Sequence, residues 1–256
     1  MTGYIEFEFD LPAALLGRLI EVLDGLGTLP LNTEGLARIP EEQGVYQLFL
    51  DGRVVYIGKT DAEAGLNKRL SRHARKIMHR VGLDPARVSF RAVRVFVFTA
   101  IDLESDLIRY YGGVKNIDWN GSGFGANDPG RQRDTTRIDP KNFDARFPID
   151  IDRDLAFAIE ENEIAASALA RLKGALPYTF RFQGAGSGSR KSHPDFEATL
   201  LTNLSGPVSP RNAIEHIVGA LPSGWQATAL PGYIILYKEE RDYPAAEVIA
   251  VSGNKR

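Results

Sequence analysis

The chain has no cysteine, which excludes disulfides, thiolate zinc sites, iron–sulfur clusters and cysteine nucleophiles. Only four histidines, His73, His79, His193 and His216, are available for imidazole chemistry. No apolar run approaches the roughly 18 residues that a membrane span requires. The opening MTGYIEFEFD is acidic, unlike the basic start of a secretory signal. These absences lead to the expectation of a soluble, cytoplasmic protein in a reducing compartment, with no membrane partner.

What is present is ample for a core. Of 256 residues, 43% are apolar, which excludes intrinsic disorder and suits one large domain or two small ones. A formal net charge of −2 hides an uneven distribution. Residues 52–94 carry eleven basic side chains against three acids, whereas residues 1–43 carry eight acids against two bases. A near-neutral chain can therefore present a strongly positive face to a polyanion, or merely a solvated surface of mixed sign, and motifs must decide.

The pattern of elements is mixed. Residues 12–27 have helical apolar spacing and end at Gly25 and Gly27. GVYQLFL (44–50) and RVVYIG (53–58) flank Asp51-Gly52, a hairpin signal. Residues 64–80 read as a basic helix, 88–98 as a strand, and Thr99 with Asp102 as a capping box ahead of LESDLIRYY, another helix. A loop rich in Gly, Asn, Asp and Pro fills 116–137. Beyond it, 154–174 reads as helix, 178–182 as strand, 183–192 as a flexible link, 210–220 as helix and GYIILYK as strand.

Gly44-Val45-Tyr46, followed ten residues later by Tyr56-Ile57-Gly58, resembles the signature of the GIY-YIG nuclease family, with Val45 in place of the usual Ile. Lys59, then Arg69 and His73 on one helix, Glu104 on the next, and Asn116 follow in the family's order, over about residues 44–130. The pattern is most similar to type II GIY-YIG restriction endonucleases of the group that cuts CCGCGG sites, where a His stands one helical turn after the Arg. Their Gly-Phe-Gly loop with a later Pro-Gly resembles Gly123-Phe124-Gly125 and Pro129-Gly130. The resemblance implies an α/β fold: a GIY-YIG core with a small antiparallel sheet flanked by helices, plus a C-terminal α/β extension. Boundaries are expected at 1–43 (an N-terminal helical arm), 44–150 (nuclease core with a DNA-contacting loop) and 151–256 (extension).

Chemistry assigns the roles. Phosphodiester hydrolysis needs an activated water, charge neutralisation at phosphorus and help for the leaving oxygen. Glu104 suits one Mg²⁺ or Mn²⁺, since Mg²⁺ keeps most of its waters and needs only one or two carboxylates. Arg69 offers a planar fork to phosphate oxygens, Lys59 adds positive charge, and Asn116 adds a neutral hydrogen bond. The resemblance favours a tyrosine base, Tyr46 or Tyr56, whose pKa nearby cations would lower, with His73 assisting; the intrinsic value of an imidazole favours His73 itself. At 100° per residue Leu66, Leu70, Ala74 and Ile77 form a packing stripe, and Arg69, His73, Lys76 and Arg80 an adjacent rim. Lys59, Arg72 and Lys76 would then contact DNA, as would Asn127, Arg131 and Arg133 of the loop, because Arg and Asn match guanine and adenine edges; the alternative is a tight connection.

One geometric condition is sharp. A two-residue turn at Asp51-Gly52 with regular pairing would put the tyrosines on opposite faces, whereas a three-residue loop with Gly52 left-handed in a bulge pairs Tyr46 with Gly58 and unites them. One site needs both, so the second is expected. The expected protein is a restriction endonuclease acting on double-stranded DNA, as a homodimer, alongside a cognate DNA methyltransferase. Rivals are a structure-selective repair or mobile-element nuclease and a catalytically silent DNA-binding module. No Gly-x-Ser-x-Gly occurs, and Asp195 lacks a following Glu-x-Lys.

Overall fold

A computed structural model describes residues 3–60, 63–96, 103–128, 130–186, 189 and 191–253. It divides into two compact units, residues 1–74 with 84–125, and residues 75–83 with 126–256. Among the described residues the fold is mixed α/β, with eight helices and three small sheets. No described helix is long and apolar enough to cross a membrane.

The first unit begins with α1 (Leu11–Gly25), whose N-terminus is capped by the Asp10 carboxylate accepting from Ala13 N at 3.0 Å. Then come β1 (Leu29–Pro30), α2 (Thr33–Leu36), β2 (Gly44–Leu50), β3 (Arg53–Thr60), α3 (Leu66–Lys76, of which 66–74 lie in this unit), β4 (Val88–Arg94) and α4 (Leu103–Tyr110). The strands form an antiparallel sheet in the order β1-β4-β2-β3. One face, carrying Val45 and Ile57, is covered by Leu19, Ile20 and Leu23 of α1 and Leu103 and Leu107 of α4. Each such buried aliphatic chain contributes about 1.5 to 3 kcal/mol. The other face carries Tyr46, Leu48 and Tyr56, and α3 lies against it: Gly44, on this face, is so close to Leu66 that a Cβ there would meet Leu66 Cδ1 at 2.7 Å.

Residues 1–43 are thus not an arm, because β1 pairs with β4 and α1 shields the sheet. The hairpin also differs in detail from expectation. Asp51 and Gly52 are both left-handed (φ 51° and 78°) and form a two-residue turn pairing Leu50 with Arg53. The extra residue is absorbed further along: Phe49 pairs with Val54 but Leu48 with Tyr56, leaving Val55 as a bulge. Beyond it Tyr46 faces Gly58, the pairing that a three-residue loop would have produced. The capping pair Thr99 and Asp102, Pro129 and the end of the 88–98 strand lie outside the described residues.

The second unit contains α5 (Phe143–Arg146), β5 (Glu163–Ile164), α6 (Ala165–Ala175), β6 (Thr179–Phe182), α7 (Pro194–Ala198), β7 (Leu200–Leu201), α8 (Pro210–Ala220), β8 (Gln226–Leu230), β9 (Tyr233–Tyr237) and β10 (Glu247–Val251). Its main sheet runs β10-β8-β9-β6, with β6 parallel to β9, and its core includes Leu169, Phe180, Phe196, Ile217, Trp225 and Ile234. The helix expected from 154 starts only at Ala165, because Leu155 and Ile159 bridge to Val208 and Leu204 and Asn162 is left-handed (φ 62°).

The expected boundary near 150 lies instead at 125/126. Residues 126–150 are tied to the second unit by two buried carboxylates. Asp134 accepts from Arg181, and Asp144 pairs with Arg80 at 3.0 Å and with Arg133. Burial pushes the Asp144 carboxyl up, but Lys76, Arg80 and Arg133 outweigh it and hold it below the ordinary range. Asp144→Ala, which strands the buried Arg80 guanidinium, is expected to cost about 3 to 5 kcal/mol in urea unfolding followed by Trp225 fluorescence. Because the folded pKa is depressed, the carboxylate's contribution is complete above its unfolded value near 3.9 and disappears as the pH falls below that; a parent chain whose stability ignores acid in this window would contradict the pairing.

Candidate active site

The bulge brings the two phenols together. Tyr46 and Tyr56 lie on one face with ring centroids 6.1 Å apart. Two glycines make room for them. A Cβ on Gly58 would lie 2.6 Å from Tyr46 Cζ and 2.9 Å from Tyr56 Cε1, and one on Gly125 would collide with the Tyr56 hydroxyl. Here a glycine is required by close approach rather than by backbone conformation.

Helix α3 delivers Arg69 and His73, one turn apart, to the same phenols. Tyr46 Oη lies 2.8 Å from His73 Nε2, and Arg69 Nε donates to Tyr46 Oη at 3.4 Å. Arg69 also donates to the Gly125 carbonyl at 3.1 Å, and its charge is felt by Tyr56. Burial works to lower the Arg69 pKa, but contact with the two phenols outweighs it and raises it. His73 was expected on a charged rim and is instead buried at 1% exposure. Its ring stacks on Phe124 at 4.8 Å and 16°. Arg80, of the same expected rim, is buried beside Asp144.

The charge state of Tyr46 departs from expectation. Burial pushes its pKa well up, and the neighbouring Tyr56 and, to a lesser degree, Glu104 push the same way against Arg69. Cations therefore do not make Tyr46 a standing phenolate; it is a neutral phenol. If the phenol gives its one proton to His73 Nε2 while accepting from Arg69, the imidazole proton lies on Nδ1; in the other tautomer Nε2 donates to the same oxygen.

Glu104 is half-buried on α4, with its charge felt at Tyr46. Among the described residues no group of three or more His, Asp or Glu side chains could chelate a metal. Glu104 as a carboxylate donor fits a hard, largely hydrated cation such as Mg²⁺, and fewer than three such ligands do not fit zinc.

The other expected residues scatter. Asn116 is exposed and donates to Gly112 O at 2.8 Å, closing the turn after α4. Asn120, which sequence reasoning missed, brackets Ile57 instead, accepting from its N–H at 2.8 Å and donating to its carbonyl at 2.9 Å, and so seals the outer edge of β3 beside Tyr56. Lys59 is exposed and pairs with Val45, so it projects from the face away from the phenols. Arg72 is exposed on α3, and its pKa is lowered by burial and Arg69 against the pull of both tyrosines, which puts it in the field of the site.

The remaining DNA-contact candidates belong to the second unit. Lys76 lies over the Phe143 ring, Arg131 pairs with Glu239 at 2.9 Å over Tyr237, and Arg133 bonds Asp144 over Tyr233. Asn127 is exposed. The guanidinium of Arg133 is thus engaged internally, whereas Asn127 and a flank of Arg131 are exposed.

The chain matches no protein-family model, and no curated protein is significantly similar to it in sequence. The functional reading rests on the geometry. Gly58→Ala is expected to force Tyr46 off its place over β3, costing about 1 to 3 kcal/mol from overpacking and changing the tyrosine bands in near-UV circular dichroism. An unchanged spectrum and melting temperature would contradict the close approach.

Proposed function

We propose that the first unit is a GIY-YIG-type catalytic core, and that the protein is a metal-dependent endonuclease hydrolysing DNA phosphodiester bonds, a type II restriction enzyme acting as a homodimer on a specific double-stranded site. The observation that carries this reading is the Arg69 guanidinium bonded to Tyr46, with Tyr56 packed beside that phenol, His73 on Tyr46 and Glu104 in the same field. Binding alone would need cations, but neither a carboxylate nor a phenol–imidazole pair.

Arg69 turns its fork from the neutral Gly125 carbonyl to phosphate oxygens, a charge-assisted bond roughly twice as strong. Tyr46 is wholly buried, so the attacking water enters beside the half-buried Arg69. As that water loses its proton towards the Tyr46 oxygen, the phenol's own proton passes to His73 Nε2 over 2.8 Å. The imidazole, whose ordinary range straddles neutral pH, holds it, so no free phenolate need form. A divalent cation at Glu104 would neutralise charge on the phosphate and the leaving oxygen. Arg72 at the mouth draws the DNA backbone in.

Glu104→Ala is expected to abolish cleavage in Mg²⁺ while DNA binding by gel shift survives. Arg69→Ala should lower cleavage on the order of 10²- to 10³-fold, the scale of one lost oxyanion-stabilising donor. Digestion of unmodified plasmid should give discrete fragments; nicks or junction-dependent cuts would point to a structure-selective nuclease. Parent-rate cutting by Glu104→Ala would end the metal assignment.

A further inference from the structure

Phe124 is 1% exposed and meets two members of the site, and Trp119, at once. It stacks on His73 at 4.8 Å and 16°, stands edge-on to Tyr56 at 5.2 Å and 66°, and rests on Trp119 at 4.7 Å. The segment bearing it is fastened on several sides. Trp119 N donates to Val55 O at 2.8 Å, Asn120 brackets Ile57, and Ser122 Oγ donates to Trp119 O at 2.7 Å. A ring so anchored is a fixed wall rather than an adaptable filler.

The wall matters because His73 can offer Tyr46 the wrong atom. A half-turn of the imidazole would put Cε1 where Nε2 stands and leave the phenol proton without its acceptor, and a flat ring packed at 4.8 Å blocks the edge-on passage that the turn requires. We propose that Phe124 is a positioning residue whose stack on His73 holds Nε2 on Tyr46 and so keeps the proton path assembled. Its effect on cleavage rests on the nuclease reading; its effect on the imidazole does not.

The test compares Phe124→Leu, which keeps an apolar side chain but loses the flat face, with Phe124→Tyr, which keeps the face, in the full-length chain. Nitrogen-15 spectra of histidine-labelled protein should show one His73 tautomer, protonated at Nδ1, in the parent and in Phe124→Tyr, and a mixture in Phe124→Leu. In DNA cleavage, Phe124→Leu should lower kcat roughly 10- to 100-fold, the scale of an ångström-sized misplacement, with KM unchanged, and Phe124→Tyr should restore it. A Phe124→Leu chain that melts lower but keeps a single Nδ1–H tautomer would overturn the proposal and leave Phe124 as core packing. If the parent chain cuts no DNA, the nuclease reading fails, and the tautomer comparison still decides the role of Phe124.

Discussion

Everything in the first unit depends on one surplus residue in a strand. Side chains alternate faces along β3, so a single unpaired residue between turn and motif decides whether Tyr56 joins Tyr46 or points into the opposite core. Val55 is that residue. Were the ladder regular, Tyr56 would project among Leu23, Val45 and Leu107, a place for an aliphatic chain and not for a phenol. The hydrophobic face thus enforces the register from behind, while Gly58 and Gly125 leave the space that the register needs in front.

Burial then sets the chemistry. Taking Tyr46 out of water makes its ionised form costly, and one half-exposed guanidinium does not repay that cost. A buried phenol can still move protons if an acceptor stands within hydrogen-bond reach, and His73 does. On the proposed reading the fold would supply a relay in place of a ready-made anion, and the orientation of an imidazole would count for more than the sum of nearby charge.

Much of this was legible in the chain. Asp51-Gly52 between two apolar runs marked the hairpin, 3.6-residue spacing marked α1 and α8, and the parity requirement on two tyrosines foretold their common face. What escaped was set by contacts distant in sequence. The bulge lies at Val55 rather than at the turn, because two left-handed residues already close the turn without strain. His73 reads as a polar rim residue on a helical wheel, yet Phe124, some fifty positions later, covers it. Asn116 and Asn120 look alike in a Gly-rich loop, and only the edge of β3 distinguishes them. Residues 126–150 read as a continuation of the core because nothing local signals that Asp134 and Asp144 answer arginines of the second unit.

The parallel pairing of β6 with β9 bears on how the chain reaches its native state. Parallel neighbours cannot be joined by a tight turn, and here the path from Phe182 to Tyr233 runs through α7, β7, α8 and β8 before the two strands meet. The entropy of closing so long a circuit is spent before the contact repays it, whereas β2 and β3 zip from two residues. The β6–β9 pairing is therefore expected to form after the β2–β3 hairpin, with the edge of β9 open to other strands until it does.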